Sequence, residues 1–284
     1  MSNSQSEFSK VWHYYKQNKL AVFALILLVA LVTVAIFAPL LAPNNPYTIS
    51  RDRFLKPGES QKFPLGTDNL GRCVLSGVIW GTRVSLVVGL AAAITSTFIG
   101  IIVGAISGFF GGWIDATLMR VTELFMTIPR FVLALIVVAL FGSGLDRLIL
   151  VIGLLSWPGT ARLVRSQFLS QKSLAYVDAG RVLGMSNLRL IFSEILPNIV
   201  APVVVVATLD VASAILLEAS LGFFGLGDPH LRSWGGMLSE AQSYIRVSWW
   251  MSVFPGIAIA LTVLSFNIIG DGLNEAVNPK MHGG

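Results

Sequence analysis

Residues Leu20–Ala42 read LAVFALILLVALVTVAIFAPLLA, 23 positions without one charge. A transmembrane helix needs about 20 predominantly apolar residues, so this run alone commits the chain to a bilayer. Composition agrees. Charged residues make up 12% of the 284 and hydrophobic ones 54%, against about 25% charged in soluble domains. The length holds five or six spans with short connections and leaves little for a soluble domain.

Val84–Gly108 is the second span, and within it Gly100, Gly104 and Gly108 recur every fourth position, with Gly112 continuing the series. Small residues at that spacing let helix backbones approach closely in lipid. Phe131–Phe141 is too short to cross alone. It must extend back through LMRVTELFMTIPR as a proline-kinked helix whose polar residues face protein or water. The fourth span is Leu148–Val164, with Pro158 inside it, and the fifth runs about Leu196–Phe224. The sixth, Trp249–Ile269, opens on two tryptophans suited to a membrane interface. The expectation is an all-α polytopic membrane protein with six transmembrane helices. Residues 1–19 form an N-terminal segment, 20–42 the first span, 43–82 a polar loop, 83–272 a five-helix core and 273–284 a tail.

The first 19 residues are polar and the apolar run after them is too long for a cleavable signal. Phe8, Trp12 and Tyr15 at helical spacing, among Lys10, Lys16 and Lys19, fit a short interfacial helix; an unstructured tail is the alternative. The loop at 43–82 is too poor in apolar residues for a core of its own. Lys and Arg divide ten to nine between the two sets of connections, with Arg130 inside the third span, so charge asymmetry does not orient the chain. The net charge of +5 suits anionic lipid headgroups. No basic patch interleaved with stacking aromatics points to nucleic acid. The lone Cys73 excludes an internal disulfide and a cysteine metal cluster.

The usual catalytic signatures are absent. Gly-Lys never occurs, so there is no phosphate-binding loop, and there is no G-x-S-x-G elbow. His13, His230 and His282 have no H-E-x-x-H context. Work against a gradient would need energy from another polypeptide. Asp210 and Glu218 are the intramembrane acids of the fifth span, about 80° apart around an ideal helix. Such residues face a cavity or a partner. Either they border a water-filled path that accepts a cationic group, or they are buried hydrogen-bond partners, with Arg130 or Arg147 available.

The connection between spans four and five, 171–197, is the most unusual segment. Ala175–Leu183 reads as a short helix with small residues at Ala175, Ala179 and Gly180, a patch free of long side chains. Gly184 ends it, since glycine takes the left-handed conformation a reversal needs. SNLRLIFSEIL resumes as a second helix, capped by Ser186 or Asn187, and Pro197 marks the entry to span five. A polar helical hairpin outside the lipid is shaped to fit a groove on a partner.

Here the chain resembles the permease subunits of ABC importers, whose signature runs E-A-A, three residues, G, nine residues, I, one residue, L-P. Asp178-Ala179-Gly180 takes the E-A-A place, Gly184 follows three residues on, and Leu196-Pro197 closes the motif. Asp178, Gly180 and Glu194 depart from the usual Glu, Ala and apolar residue. LGTDNLGR, GFFGGWID, LGFFGLG, SWGGML and FNIIGDGLNEAVNP extend the likeness along nearly the whole chain. They resemble the second permease of each pair in the dipeptide/oligopeptide/nickel branch; Cys73 replaces the Asp common after LGR.

The resemblance implies a type I importer permease that pairs with a paralogous permease. Its other partners would be two cytoplasmic ATPase subunits, which bind ATP and magnesium, and an extracytoplasmic solute-binding protein; the chain itself would carry no cofactor. Ala175, Asp178, Ala179, Gly180, Gly184, Leu196 and Pro197 would form the ATPase-coupling segment. The hairpin and both termini would be cytoplasmic, in a cell inner membrane. Di- or oligopeptides are the expected cargo, with nickel chelates, opines or glutathione as alternatives. A self-sufficient secondary transporter would instead show an inverted repeat with broken helices, and no convincing repeat is visible.

Overall fold

The computed structural model describes residues 7–277, which are helical apart from loops and one isolated bridge between Thr67 and Cys73. Residues 1–6 and 278–284 of the expected end segments, and the side chains of Phe8 and Lys10, lie outside the described set.

The first apolar run forms α2 (Lys19–Ile36) and a single turn, α3 (Ala38–Leu41). Asn18 caps α2 by accepting the Ala21 N–H at 3.0 Å. The break at Phe37 precedes Pro39, whose ring cannot continue the helix behind it. Most of α2 is exposed, as a lipid-facing helix must be. The segment before it, α1 (Glu7–Tyr15), is helical as expected but does not simply lie on a membrane. Tyr15 is buried against Ala21 and Ala276, and its hydroxyl donates to the Ala21 carbonyl at 3.0 Å. A β-carbon on Gly272 would come within 3.2 Å of the Tyr15 ring. That contact belongs to α12 (Trp250–Val277), which runs past the expected end of the sixth span, so 273–277 is helix rather than tail.

α4 (Val74–Phe110) is 37 residues long and starts ten residues before the expected second span. The single charge in the added turns, Arg83, is solvent-exposed and lies over the Trp80 ring, so it does not end the helix. The glycine series works as the spacing requires, against α7 (Leu145–Gln171). A β-carbon on Gly100 would sit 2.6 Å from Thr160 Cβ, on Gly104 2.7 Å from Val164 Cβ, and on Gly108 2.5 Å from Phe168 Cβ. Each glycine thus seats one residue of the matching every-fourth series on α7. Gly112 is not part of the seam; it opens the next helix with φ +55 and no neighbour.

The third crossing is not one kinked helix. α5 (Gly112–Thr127) and α6 (Arg130–Phe141) meet at 83°. Pro129 disfavours helical geometry in the residue before it, and Ile128 is accordingly extended, with ψ 130. The pair still crosses as a unit. It starts at Gly111, beside Lys172 at the end of α7. It finishes at the other end of the bundle, where the Leu145 N–H donates to Asp228 at 3.2 Å. With α10 (Leu196–Phe223), six crossings result among the described residues.

The loop at 42–73 has no core of its own, but it borrows one. Phe54 and Leu65 pack on Val74, on Trp250 and Met251, and on Met237 and Ala241 of α11 (Trp234–Ala241). Trp250 is therefore not an interfacial residue: it is 2% exposed and donates its indole N–H to the Thr67 carbonyl at 3.0 Å, whereas Trp249 is 51% exposed.

Candidate functional site

At one end of the bundle α7 gives way to a helical hairpin. Its first arm is α8 (Ala175–Val182), and its second begins with α9 (Asn187–Arg189). The reversal is a Schellman arrangement. Gly184 takes φ +74, its N–H bonds the Arg181 carbonyl at 3.0 Å, and the Met185 N–H reaches back to Gly180 at 3.0 Å. Ser186 supplies the cap, accepting the Arg189 N–H.

The hairpin has two different faces. Val177, fully buried, packs with Phe168, Leu190, Ile191, Ile195 and Ile199. Gly180 belongs to this inner face and not to an outward smooth patch: a β-carbon there would meet Leu190 Cδ2 at 2.8 Å. It is the notch that lets the two arms close. Ala175, Asp178 and Ala179 are exposed, and Gly184 has open space around it. Asp178 pairs with Arg181 at 2.8 Å. Beside them Val182, Leu183 and Leu188 are 88%, 76% and 68% exposed. Three large apolar side chains are thus left bare on the polar hairpin.

Leu196 and Pro197 do not interrupt the chain at the entry to span five. Asn187–Phe223 is one helix of 37 residues. Leu190–Ile195 winds wider than an α-helix, and the Leu196 N–H bonds Ile191, five residues back. A wide turn of this kind accommodates a proline, which lacks an N–H and crowds the carbonyl four residues earlier. Asn198 adds a side-chain hydrogen bond to the Glu194 carbonyl at 2.6 Å. Leu196 is half-buried against the inner cluster of the hairpin.

Polar contacts fasten this end of the bundle. Lys172 Nζ donates to the Gly108 carbonyl at 2.9 Å. Arg165 grips Asp115 with two nitrogens at 2.5 and 2.6 Å, and the Ser107 hydroxyl donates to the same carboxylate. α4, α5 and α7 are thus cross-linked just above the hairpin.

Within the lipid layer Asp210 and Glu218 go separate ways. The Thr160 hydroxyl donates to Asp210 at 2.9 Å, and Ser96 approaches it at 3.5 Å. Asp210 is half-buried on the α7 side. Glu218 is 1% exposed and accepts from Ser85 at 3.0 Å and from Ser233. It is a buried hydrogen-bond centre joining α4, α10 and the loop before α11. Neither acid makes an ion pair with Arg130 or Arg147 among the described residues.

At the other end four charges converge that the sequence did not bring together. Asp68 accepts from Arg72 at 2.6 Å and from Arg232 at 3.2 Å, while Glu240 accepts from Arg72 at 2.5 Å and from Arg232 at 2.8 Å. Burial works against the Arg72 charge. The hydrogen bond to Glu240 and the charges of Asp68 and Glu240 outweigh it and raise the guanidinium above its ordinary value. The available signal was local: Asp68 and Arg72 lie in LGTDNLGR, and Arg232 and Glu240 bracket SWGGML.

A bundle of six crossings, with a helical hairpin sharing an apolar cluster with α4, α7 and α10, is the architecture of a type I ABC importer permease. A chain of the MetNI methionine ABC transporter, solved in inward-facing conformations, shares it with a TM-score of 0.59 at 19% identity, over 71% of this chain and 96% of its own. The chain belongs to the binding-protein-dependent transport system inner membrane component family, whose model matches residues 100–283. Residues 6–57 match the N-terminal transmembrane domain of oligopeptide transport permease C. The di/tripeptide transport system permease protein DppC of Pseudomonas aeruginosa is 39% identical over 97% of this chain and 93% of its own length. The dipeptide permease DppC of Escherichia coli is 42% identical over 95% and 92%. The glutathione transport permease GsiD of Pectobacterium atrosepticum is 34% identical over 98% and 92%.

Proposed function

We propose that this chain is the membrane-embedded half of a heterodimeric peptide pore, importing di- or oligopeptides across a bacterial inner membrane. A paralogous permease completes the pore, two cytoplasmic ATPases bind and hydrolyse ATP, and a solute-binding protein delivers cargo from the far side. The hairpin and both termini are cytoplasmic; the loops at 42–73 and 224–249 face the binding protein. The chain carries out no bond chemistry and holds no nucleotide of its own.

The observation that carries this reading is the two-faced hairpin. Its outer surface, with Asp178, Ala179 and Gly184 beside bare Val182, Leu183 and Leu188, suits a groove on a soluble subunit. Its inner surface is locked to α7 and α10 through Val177 and Leu190. A rigid-body movement imposed on the hairpin is therefore passed to the spans, the kind of change that switches a transporter between two states. Peptide cargo is supported by the dipeptide permeases at about 40% identity over nearly the full length. Glutathione, itself a modified tripeptide, is the second choice, supported by the relative of that name.

The test is reconstitution of the complete complex in proteoliposomes with labelled dialanine and labelled glutathione outside. ATP-dependent accumulation of the dipeptide by the complex, with none by this chain alone, is the expected result. Accumulation by the isolated chain, or no accumulation of either solute by the complex, overturns the proposal.

A further inference from the structure

Arg130 is the first residue of α6, immediately after the sharp break in the third crossing. Beside it lies an open groove of about 340 Å³ lined by Phe131, Ser156, Ser213, Leu216, Leu217 and Ser220. Its depth follows from the helices that wall it. Ser156 is eleven residues into α7 and Ser213 ten residues from the end of α10, each about 15 Å from the outer helix ends. The guanidinium thus stands beside a groove well inside the apolar layer, where a charged side chain is costly and normally has a use.

No ion pair or hydrogen bond occupies Arg130 among the described residues; Glu123, seven residues earlier, pairs with Arg120. Ser156 and Ser213 likewise make no hydrogen bond within the described residues. The groove therefore presents a fork of N–H donors and two free hydroxyls, a donor set that matches a carboxylate. Deeper on the same face of α10 lies Asp210, in the series Asp210, Ser213, Leu217, Ser220 at helical spacing. The field of Arg130 reaches it. Positive and negative groups are offered in sequence along a mainly apolar groove.

We propose that Arg130, Ser156 and Ser213 form a subsite for the C-terminal carboxylate of a peptide in transit, with Asp210 placed to receive its ammonium group. This assignment rests on peptides being the cargo. Asp210 keeps a place on the path, and the buried Glu218 is not part of this subsite.

The test uses the complete transporter in proteoliposomes. The one native thiol of this chain, Cys73, is buried, so with the cysteines of the partner subunits replaced Ser213→Cys gives a defined reporter. Its thiol should react about fivefold faster with an anionic methanethiosulfonate reagent than with a cationic one. Millimolar dialanine should slow the reaction, and Arg130→Gln should abolish the preference. Uptake of labelled dialanine should fall about tenfold in Arg130→Gln and recover in part in Arg130→Lys, as for loss of a charged hydrogen bond. Equal rates for the two reagents with Arg130 in place overturn the subsite, and that measurement stands even if Arg130→Gln fails to assemble. Wild-type uptake of dialanine in Arg130→Gln overturns the subsite alone, whereas no uptake by the wild type overturns the cargo.

Discussion

The ammonium of Lys172 lies 2.9 Å from the carbonyl of Gly108, 64 residues earlier in the chain. The last turn of α7 is thereby tied to the last turn of α4, at the point where a helix ends with carbonyls lacking partners. Lys172→Met keeps the length of the side chain and removes the bond. The loss should be about 1–2 kcal/mol, the low end for a charged donor because the site is half exposed. A lower melting temperature of the purified complex, with normal amounts in the membrane, is the expected readout; an unchanged melt would show the tie to be idle.

Two glycines of the hairpin should respond differently. Gly180→Leu drives a side chain into Leu190, and little protein should reach the membrane. Gly184→Val meets no atoms but strains a left-handed backbone by about 1–2 kcal/mol. It should assemble and yet lose uptake, while Gly184→Asn, tolerant of that conformation, should retain most of it. Equal expression and transport for all three variants would remove the structural distinction.

The Asp115–Arg165 pair invites a charge swap. Asp115→Arg or Arg165→Asp alone leaves like charges in contact and should depress stability and transport. The double exchange should restore part of both, with a coupling of about 1–3 kcal/mol in a thermal double-mutant cycle. Additive effects would mean that the contact does no more than fill space.

Glu240 separates Arg72 from Arg232. Glu240→Gln leaves the two guanidinium groups with Asp68 alone, a loss on the order of 2 kcal/mol, discounted from a fully buried pair because Glu240 is partly exposed. The loop at 42–73 should then be cut faster by protease than in wild type. Unaltered cleavage would place the strength of that loop in the Trp250–Thr67 contact instead.

The spans and the hairpin were legible in the sequence because both rest on local signals. Uncharged runs name helices, and the every-fourth glycines name a seam, though only the structure supplied α7 as its partner. Gly184 was readable because a helix reversal demands φ > 0. Gly180 was misread, since an eight-residue helix gives no indication of which side meets Leu190. The early start of α4 is not visible in the uncharged run, which begins only after Arg83, an exposed charge that the helix carries without ending. Pro129 and Pro197 show the limit most clearly. The first breaks a helix outright and the second does not, and the difference lies in the widened turn ahead of Pro197. The charge cluster of Asp68, Arg72, Arg232 and Glu240 joins residues more than 160 positions apart, a relation that needs the fold before it exists.

That widened turn has a mechanical result. Because Asn187–Phe223 is unbroken, the second arm of the hairpin and the fifth crossing are a single lever about 55 Å long. Pivoted near the hairpin, it would carry its far tip roughly 10 Å for a tilt of only about 10°. A small stroke at the hairpin can thus become a large displacement at the opposite end of the crossing without any hinge between them.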